Sequence, residues 1–480
     1  MNADLLTRYA RLLACASTLA LGACATLAEG ESLSLARATA TNDMKAELSR
    51  LDDDSANAAA KAKVAALLKR PLTADSAVRI AFLNNRGLQA DLNALGIAEA
   101  QYQAASLPPS PRFSLSRLAG GLDLEIERQI IVGLMELATL PARQDIAADK
   151  FKAAQYRAAE AVLRLGLDTR RQYYRAVGAS ELGATLETAR ASADASSDLV
   201  KALGESGAVS KLQQARQHAV YAEISAQLGR ARLQRSVERE KLIRLLGLWG
   251  RDAEIRLPAS LPALAARANS AASVEKQALE RRADLHIARL ELTALAKSLG
   301  LAEATRFMTD IELAGVSNYE RSNNDLGEKE KTNRRGLSVE FEIPLFDFGA
   351  SKVALARETY MQAANRLAEK AVNVRSEARE AYQVYRGSFD LARHYQSQIL
   401  PLRKVIQEES LLHYSGMLTD VGELLADARA AATSRAQAVE ARRDFWIADA
   451  DLQAAILGGG RQGAPGAGAP TESTETTGGH

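Results

Sequence analysis

Aromatic residues and cysteines are scarce in this sequence. Phenylalanine, tryptophan and tyrosine make up 5% of the 480 residues, whereas hydrophobic residues as a class make up 47%. Such a composition, with frequent alanine-rich runs, favours long and closely packed helices over a large sheet-on-sheet core. The only cysteines are Cys15 and Cys24, and the five histidines are scattered singly, so no cluster has the ligand spacing of a zinc or copper site. We therefore expect no metal and no other cofactor.

The sequence also lacks an excess of charge of either sign. Lysine and arginine number 61 and aspartate and glutamate number 59, which gives a formal net charge of +2. This balance excludes the broad basic field that nucleic-acid binding requires. The sequence shows no nucleophile paired with a base and no glycine-rich phosphate loop. An enzyme is therefore the least favoured class of function.

The apolar run at the N-terminus is too short to span a membrane as a helix. Arg8 and Arg11 precede it, and Leu12–Leu21 supplies the apolar residues, a pattern that predicts a secretory signal over residues 1–24. The last four residues of this segment, LGAC, resemble a bacterial lipobox. Cys24 is therefore predicted to be the lipid-attached N-terminus of the mature chain. An ordinary signal peptide cut after a small residue is the alternative.

One stretch shows the strict alternation of a strand with two different faces. In Gly336–Gly349, GLSVEFEIPLFDFG, large apolar residues alternate with a serine and two glutamates. A soluble sandwich could show the same alternation. However, the segment from Gly336 to Leu345 has the length of a tilted membrane-spanning strand, roughly 9–11 residues. A turn at Asp347-Phe348-Gly349 ends this strand, and a helical pattern of about fifty residues begins at once.

The helical patterns of the chain are unusually long. One pattern runs from Pro141 to about Leu203, which predicts a rod of roughly 90 Å at 1.5 Å per residue. A return helix is predicted from about Ser210 to Leu246. In the second half a helix is predicted over Ala350 to about Leu400, where Pro401 must kink or restart it. A final helix reaches Leu457.

The chain contains two copies of one unit. Arg157–Glu160, RAAE, corresponds to Arg366–Glu369, RLAE, and Gly207 corresponds to Gly416, at spacings of about 209–211 residues throughout the chain. Each copy is predicted to consist of a helix, a β-hairpin, a long helix and a return helix. A highly charged loop is predicted over 319–335. The predicted division is a signal peptide (1–24), an N-terminal leader (25–70), a first repeat (71–250), a connector (251–272), a second repeat (273–458) and a disordered tail (459–480).

Three motifs of the duplicated unit resemble the TolC-like outer-membrane efflux channels. IPLFDFG at Ile343–Gly349 resembles the strand-to-helix junction of that family, and YSGMLTDV at Tyr414–Val421 resembles its periplasmic hairpin tip. RADL at Arg282–Leu285 resembles the start of its second repeat. The resemblance covers about residues 70–458. The first repeat departs from it, since Ser210 lacks the acid present in the second tip.

This resemblance implies a mainly α fold with a small β part. Long antiparallel helical hairpins would form an α-barrel tunnel, and a homotrimer would complete a transmembrane β-barrel with four strands per protomer. Because strands in a membrane must have no open edge, a four-stranded sheet by itself also demands oligomerisation. The implied function is the outer-membrane exit duct of a tripartite efflux system. The implied partners are a periplasmic adaptor, an inner-membrane pump and outer-membrane lipid.

Two groups of residues are candidate functional sites. If apolar residues face lipid, carboxylates on the other face line a watery lumen, where they stay hydrated. This group comprises Asp310, Glu312, Glu340 and Glu342, with Asp123, Glu125 and Glu127 on the first hairpin. The second group, which the resemblance places at the periplasmic tip and adaptor contact, comprises Gly207, Val209, Ser210, Gly416, Leu418, Thr419 and Asp420. Asp420 could equally be a helix N-terminal acid that the helix dipole favours.

A second class of function competes with the exit duct. A periplasmic coiled-coil adaptor or a structural envelope protein would explain the long helices. Neither would explain two alternating hairpins at matching points of a duplication. A need for detergent to extract the chain from the outer membrane would favour the exit duct.

Overall fold

The structure of the chain is a computed structural model that describes residues 32–120, 123–268, 270, 273–308, 310–323 and 329–459. The predicted signal peptide, the lipid-attachment residue Cys24 and the tail from residue 460 onwards lie outside the described residues.

The two halves of the chain repeat one order of elements. The first half contains α1 (Ser34–Asn42), α2 (Asp54–Leu68), α3 (Ala74–Asn84), α4 (Arg86–Ser106), β1 (Arg112–Gly120), β2 (Asp123–Gly133), α5 (Leu134–Ala138), α6 (Leu140–Glu205) and α7 (Lys211–Leu245). The second half contains α8 (Val274–Arg281), α9 (Ala283–Ala304), β3 (Asp310–Asn323), β4 (Lys329–Glu342), α10 (Ala350–His394), a π-helical turn (Tyr395–Ile399), α11 (Leu400–Ser415) and α12 (Val421–Leu457). Pairs of short helices, hairpins and long helices therefore follow one another twice, as the duplication predicts.

The part of the leader that the structure describes is helical and packed onto the first repeat. Met44, which follows α1, is fully buried in a cluster that also contains Phe82 and Leu167. A Cβ atom added to Gly166 of α6 would lie 2.6 Å from the Met44 sulfur, so the buried Met44 side chain would have to shift to admit a larger residue there. Asp53 caps the start of α2, because its carboxylate accepts a hydrogen bond of 2.6 Å from the Ala56 N–H.

Asn85 divides the helical segment that follows Thr73 into α3 and α4. The Asn85 backbone is extended, with ψ at 114°, and its side-chain oxygen accepts a hydrogen bond of 3.1 Å from the Leu88 N–H. Its side-chain amide donates to the Leu245 carbonyl oxygen at 2.9 Å, at the end of α7. One asparagine thus caps the start of α4 and a carbonyl of a distant helix end.

The second repeat has its helix break at Arg282, within the RADL motif. The Arg282 guanidinium binds Asp284 through two hydrogen bonds of 2.9 and 3.0 Å and also contacts Glu377 at 2.5 Å. Burial is the largest single influence on Asp284 and opposes its ionisation, but the hydrogen bonds and charge of Arg282 together with the charge of Lys370 outweigh it and lower the pKa of this carboxyl. The conspicuous motif is therefore an ion-pair network that fixes α8 and α9 to α10.

Aromatic residues connect the cores of the two repeats. Tyr174 of α6 stacks on Trp446 of α12 with ring centroids 5.3 Å apart, and Trp446 meets Phe445 edge-on at 5.1 Å. Phe445 in turn contacts Phe389 of α10 at 5.5 Å, and both phenylalanines are almost completely buried. The few aromatic residues are thus used to join the two halves.

The long helix of the second repeat is interrupted, whereas that of the first repeat is continuous. α6 has 66 residues, which corresponds to about 100 Å. In the second repeat the π turn Tyr395–Ile399 separates α10 from α11, and Pro401 lies in the first turn of α11. Proline lacks an N–H, so the regular hydrogen-bond ladder cannot continue through it. The predicted restart at Pro401 is confirmed. Among the described residues, no helix is both long and apolar enough to span a membrane.

Candidate functional site

The four strands form one antiparallel sheet in the order β1-β2-β3-β4. The central contact joins the two repeats, because β2 pairs with β3, for example Glu127 with Asn318. Within the described part of the chain, the outer edges of β1 and β4 have no partner strand. An unpaired edge leaves backbone N–H and carbonyl groups free for another chain.

The hairpin of the second repeat is longer than the sequence indicated. β3 and β4 have 14 residues each, and β4 begins at Lys329. The prediction of a charged loop over 319–335 is therefore wrong, since only 324–328 lie outside the described residues and the rest is paired strand. A strand of 14 residues exceeds the roughly 9–11 residues that cross a bilayer. The charged composition belongs to the distal end of the hairpin, far from the helices.

The strand register places the predicted acids together on one side of the sheet, which we call the carboxylate face. Asp310 lies opposite Glu342, and Glu312 lies opposite Glu340. Directly opposite residues of antiparallel strands point to the same face. The same alternation places Asp123, Glu125 and Glu127 on this face, because Glu127 pairs with Asn318 and Glu125 pairs with Glu320. Whether this face lines a lumen remains a prediction.

The carboxylate face carries three further charged residues. Glu320 adds an acid, and Arg112 and Arg334 add two cations, of which Arg112 forms an ion pair with Glu312. The alternation of β3 would have identified Glu320 if the strand had been extended past Tyr319. Neutral partners also hold two acids, since Asn318 donates to Glu125 at 2.7 Å and Gln129 donates to Glu127 at 2.6 Å. Leu118, Ile131 and Val316 are the large apolar side chains on this face.

The opposite side, which we call the apolar face, is covered by large hydrophobic side chains. Their exposed fractions are high: 75% for Phe113, 73% for Leu115, 80% for Leu337, 57% for Val339 and 58% for Phe341. A soluble monomer rarely exposes a contiguous apolar surface of this kind. This face requires a covering medium or partner outside the chain.

The strand-to-helix junction predicted at Asp347-Phe348-Gly349 forms a tight turn. Asp347 accepts hydrogen bonds from the Gly349 N–H at 2.9 Å and the Ser351 N–H at 3.2 Å, which cap α10. Gly349 has φ of +71°, and a Cβ there would lie 2.2 Å from the Arg306 carbonyl oxygen. Glycine is therefore obligatory at the end of this motif.

The two helical tips close with the same hydrogen-bond pattern. In the first tip the Ala208 N–H donates to the Leu203 carbonyl oxygen at 2.8 Å, and Gly207 has φ of +78°. In the second tip the Leu418 N–H donates to the His413 carbonyl oxygen at 2.8 Å. Both tips thus end a long helix with one residue in the left-handed region.

The tip geometry corrects one sequence correspondence. The left-handed residue of the second tip is Met417, with φ of +57°, whereas Gly416 has φ of −81°. Gly207 is therefore equivalent to Met417 and not to Gly416, and Ser210 is equivalent to Asp420. A non-glycine residue in the left-handed region is strained, so Met417 occupies an unfavourable backbone conformation.

The residues predicted at the tips serve first as helix caps. Ser210 and Gln213 form a reciprocal capping box, with hydrogen bonds of 3.2 and 3.0 Å. Asp420 accepts a hydrogen bond of 2.9 Å from the Glu423 N–H, and Thr419 donates its hydroxyl to the Glu423 carboxylate. Ser210 therefore performs the capping role of the missing acid. Gly207, Val209, Gly416 and Leu418 lie in the same two turns, and Leu418 is 77% exposed.

The described acids of the sheet are not arranged as the ligands of a metal ion. Across the described ranges, no group of three or more histidine, cysteine, aspartate or glutamate side chains is arranged to hold a metal ion. What the arrangement provides is an extended acidic surface.

Solved structures share this architecture. The outer-membrane channel OprN superposes with a TM-score of 0.68 at 17% identity, over 82% of this chain and 91% of that chain. The CmeC outer-membrane channel of Campylobacter jejuni gives a TM-score of 0.62 at 18% identity, over 85% and 87% of the two chains. The open-state MtrE outer-membrane channel of Neisseria gonorrhoeae gives 0.65 at 17% identity, over 80% and 88%.

Sequence comparison adds nothing to this likeness, because no protein-family model and no curated protein matches the chain. At such low identity the superpositions establish the fold and leave the activity to be argued from the residues. They confirm the resemblance drawn from the motifs. The chain has the fold of the TolC-like outer-membrane channels.

Proposed function

We propose that the protein is the outer-membrane exit duct of a tripartite efflux system. In this proposal three copies of the chain pair their β1 and β4 edges and close a twelve-stranded barrel. The apolar face contacts lipid, and the carboxylate face lines the aqueous lumen. The long helices continue the duct into the periplasm as a tunnel, through which substrates pass passively.

The observation that carries this proposal is the combination of two open strand edges with two chemically different sheet faces. The hydrocarbon core of a bilayer has no hydrogen-bonding groups to satisfy a strand edge, so a sheet in a membrane must close. Four strands cannot close by themselves, whereas strands from several chains can. A coiled-coil adaptor or a structural envelope protein has no requirement for such a sheet.

The tips support a partner at the far end of the helices. Met417 and Leu418 are 93% and 77% exposed. Both lie in the turn of the second tip, whose backbone is already hydrogen-bonded. Exposed apolar residues on a rigid turn are suited to contact with another protein. In the proposed system this partner is a periplasmic adaptor that connects the duct to an inner-membrane pump.

Adjacent residues of β4 provide a sharp test of the sheet assignment. Val339→Arg places a charge on the apolar face, where the insertion cost at mid-membrane is about 2–4 kcal/mol. Ser338→Arg places the same charge at the adjacent residue of β4, which lies on the carboxylate face. We expect Val339→Arg to abolish assembly in the outer membrane and Ser338→Arg to retain it.

The measurements are native mass spectrometry of detergent-extracted protein and conductance in planar bilayers. A conducting particle of three chains for the native protein and Ser338→Arg supports the proposal. Extraction without detergent, a particle other than a trimer or equal behaviour of the two variants would contradict it.

Cys24 is proposed to anchor the mature chain to the membrane through attached acyl chains. Each buried CH₂ group contributes about 0.8 kcal/mol to membrane affinity. Mass spectrometry of the N-terminal peptide of the mature protein should show an acylated Cys24. An unmodified cysteine, or cleavage at another position, would remove this part of the proposal.

A further inference from the structure

Positive and negative charges are separated between the two faces of the sheet. The carboxylate face carries eight acids and two arginines among the described side chains. The apolar face carries five cations, and we find no carboxylate on it within the described parts of the strands. We call these five residues the basic zone: Arg117, Arg128, Arg321, Lys331 and Arg335.

The basic zone occupies the distal end of the apolar face. Arg128 and Arg335 both lie opposite Ser317, so they share one row across the sheet. Arg321 lies opposite Lys331, two rows further from the helices. Nearer the helices, the rows on this face contain only uncharged residues. The transition from apolar to basic therefore falls at one level of the sheet.

Among the described residues, no ion pair joins a cation of the basic zone to an acid. Four of them are exposed and Arg321 is half-buried. The ion pair of Arg112 with Glu312 lies on the opposite, carboxylate face. Clustered guanidinium groups without acids repel one another unless an anion lies between them.

We propose that the basic zone binds the phosphate groups of anionic lipids in the leaflet that surrounds the distal end of the barrel. This inference rests on the proposed function, since it requires the apolar face to contact a bilayer. Arginine matches phosphate geometry with two parallel hydrogen bonds. Three chains would present fifteen cations around the barrel.

Along the strands, the apolar rows and then the basic rows follow one another in the same order as the acyl chains and the phosphate of a phospholipid. Phe341 and Arg335 lie on the same face of β4 six residues apart, which corresponds to about 20 Å along the strand. An acyl chain would cover the apolar rows, and the phosphate attached to it would reach the basic rows. The 14-residue strands also extend past the hydrocarbon core, which places their distal ends at the level of the headgroups.

A soluble anionic partner fits this surface less well. Leu124, Ile126 and Tyr319 lie in the same rows as the cations of the basic zone. Their apolar side chains would have to be covered together with the charges. A lipid interface does both, because aromatic and apolar groups are stable at the headgroup boundary.

The test compares lipid binding by two charge-matched variants. Arg128→Gln/Arg335→Gln removes two cations from one row of the basic zone, and Arg112→Gln/Arg334→Gln removes two from the opposite face. Purified full-length oligomer in dodecyl maltoside is titrated with phosphatidylglycerol or with phosphatidylcholine of the same acyl chains. Native mass spectrometry then counts the bound lipids.

We expect the native oligomer to prefer phosphatidylglycerol. The basic-zone variant should lose about fivefold in this preference for each cation removed, and the opposite-face variant should keep it. The charge-retaining variant Arg128→Lys/Arg335→Lys should keep most of the preference, which controls for folding. No preference in the native oligomer, or equal losses in both glutamine variants, would overturn the proposal.

Bilayer conductance of the same samples separates this proposal from the proposed function. An oligomer that conducts but shows no preference for phosphatidylglycerol contradicts only the lipid site. A native chain that neither forms an oligomer nor conducts contradicts the exit duct itself, and with it the requirement that the apolar face meets lipid.

Discussion

Neutralising the acids of β4 should reduce the cation selectivity of the pore. Glu340 and Glu342 lie directly opposite Glu312 and Asp310. The carboxylate face has a net charge of −6 per chain from its described side chains, and Glu340→Gln/Glu342→Gln reduces it to −4. Rings of acids concentrate cations in a pore. The variant should therefore lose roughly a third of the charge that drives selectivity.

The size of the effect depends on salt. A perfectly cation-selective pore would give about 59 mV across a tenfold gradient. The Debye length is about 10 Å at 0.1 M and about 30 Å at 0.01 M, so charges on the wall of a wide pore are screened at the higher concentration. We expect modest selectivity at 0.1 M that increases at 0.01 M in the native channel and increases less in the variant.

The same substitutions should stabilise the sheet. Opposite carboxylates have Cβ atoms about 4.5–5.5 Å apart. Two like charges at about 5 Å in water repel by roughly 0.8 kcal/mol. Arg112 relieves part of this repulsion at Glu312, so the thermal midpoint of the oligomer should rise slightly in Glu340→Gln/Glu342→Gln.

The cation selectivity of the native channel and of the variants is measured as the reversal potential in planar bilayers. The control is Glu254→Gln/Glu280→Gln, which removes two exposed acids outside the sheet. This variant should behave like the native channel. An anion-selective native channel, or a reversal potential that both double variants leave unchanged, would refute the assignment of the carboxylate face to the lumen.

Four further substitutions test the local structure. Gly207→Val forces valine to φ of +78° and should destabilise the first tip by about 1–2 kcal/mol. Gly416→Val should be nearly neutral, because Gly416 has φ of −81° and the nearest contact of an added Cβ is at 3.5 Å. Equal losses of thermal midpoint in the two variants would contradict this difference. Gly349→Ala should reduce the yield of assembled oligomer in size-exclusion chromatography, because its Cβ would meet a backbone oxygen at 2.2 Å; a native yield would show that the junction can relax. Burial raises the pKa of Asp449 above its usual 3.8. The folded chain therefore holds the proton more tightly than the unfolded chain, and its free energy of unfolding falls as the pH rises from about 3.8 through the folded-state pKa. Asp449→Asn should therefore raise the unfolding midpoint at pH 7 and lose this advantage near pH 3, and an equal advantage at both pH values would exclude burial as the cause.

Periodic features were predictable from the sequence. The long helix expected from Pro141 to about Leu203 spans Leu140–Glu205, and the return helix expected from about Ser210 begins at Lys211 with Ser210 as its cap. Local chemistry determines such boundaries, since proline starts a helix and a hydroxyl caps it. The duplication then placed both hairpins.

Features that depend on distant partners were not predictable. The break at Asn85 needs a hydrogen bond to the Leu245 carbonyl oxygen, 160 residues away in the sequence. The described leader packs through Met44 and other buried side chains, among them Leu33 and Leu48, which lie in an alanine-rich stretch without an apolar stripe. The start of β4 at Lys329 resembled a loop because its residues are charged on both faces, as a strand beyond the hydrocarbon core can be.

The interruption between α10 and α11 makes the two helical hairpins mechanically unequal. α11 extends about 24 Å from the π turn to the tip, so a bend of about 10° at the π turn would displace the tip by roughly 4 Å. α6 offers no comparable pivot, because its hydrogen-bond ladder is continuous from Leu140 to Glu205. In a ring of three chains, hairpins with the continuous helix α6 would therefore alternate around the tunnel with hairpins whose helix is interrupted between α10 and α11. The aperture at its periplasmic end could then change at three points while the other three stayed fixed.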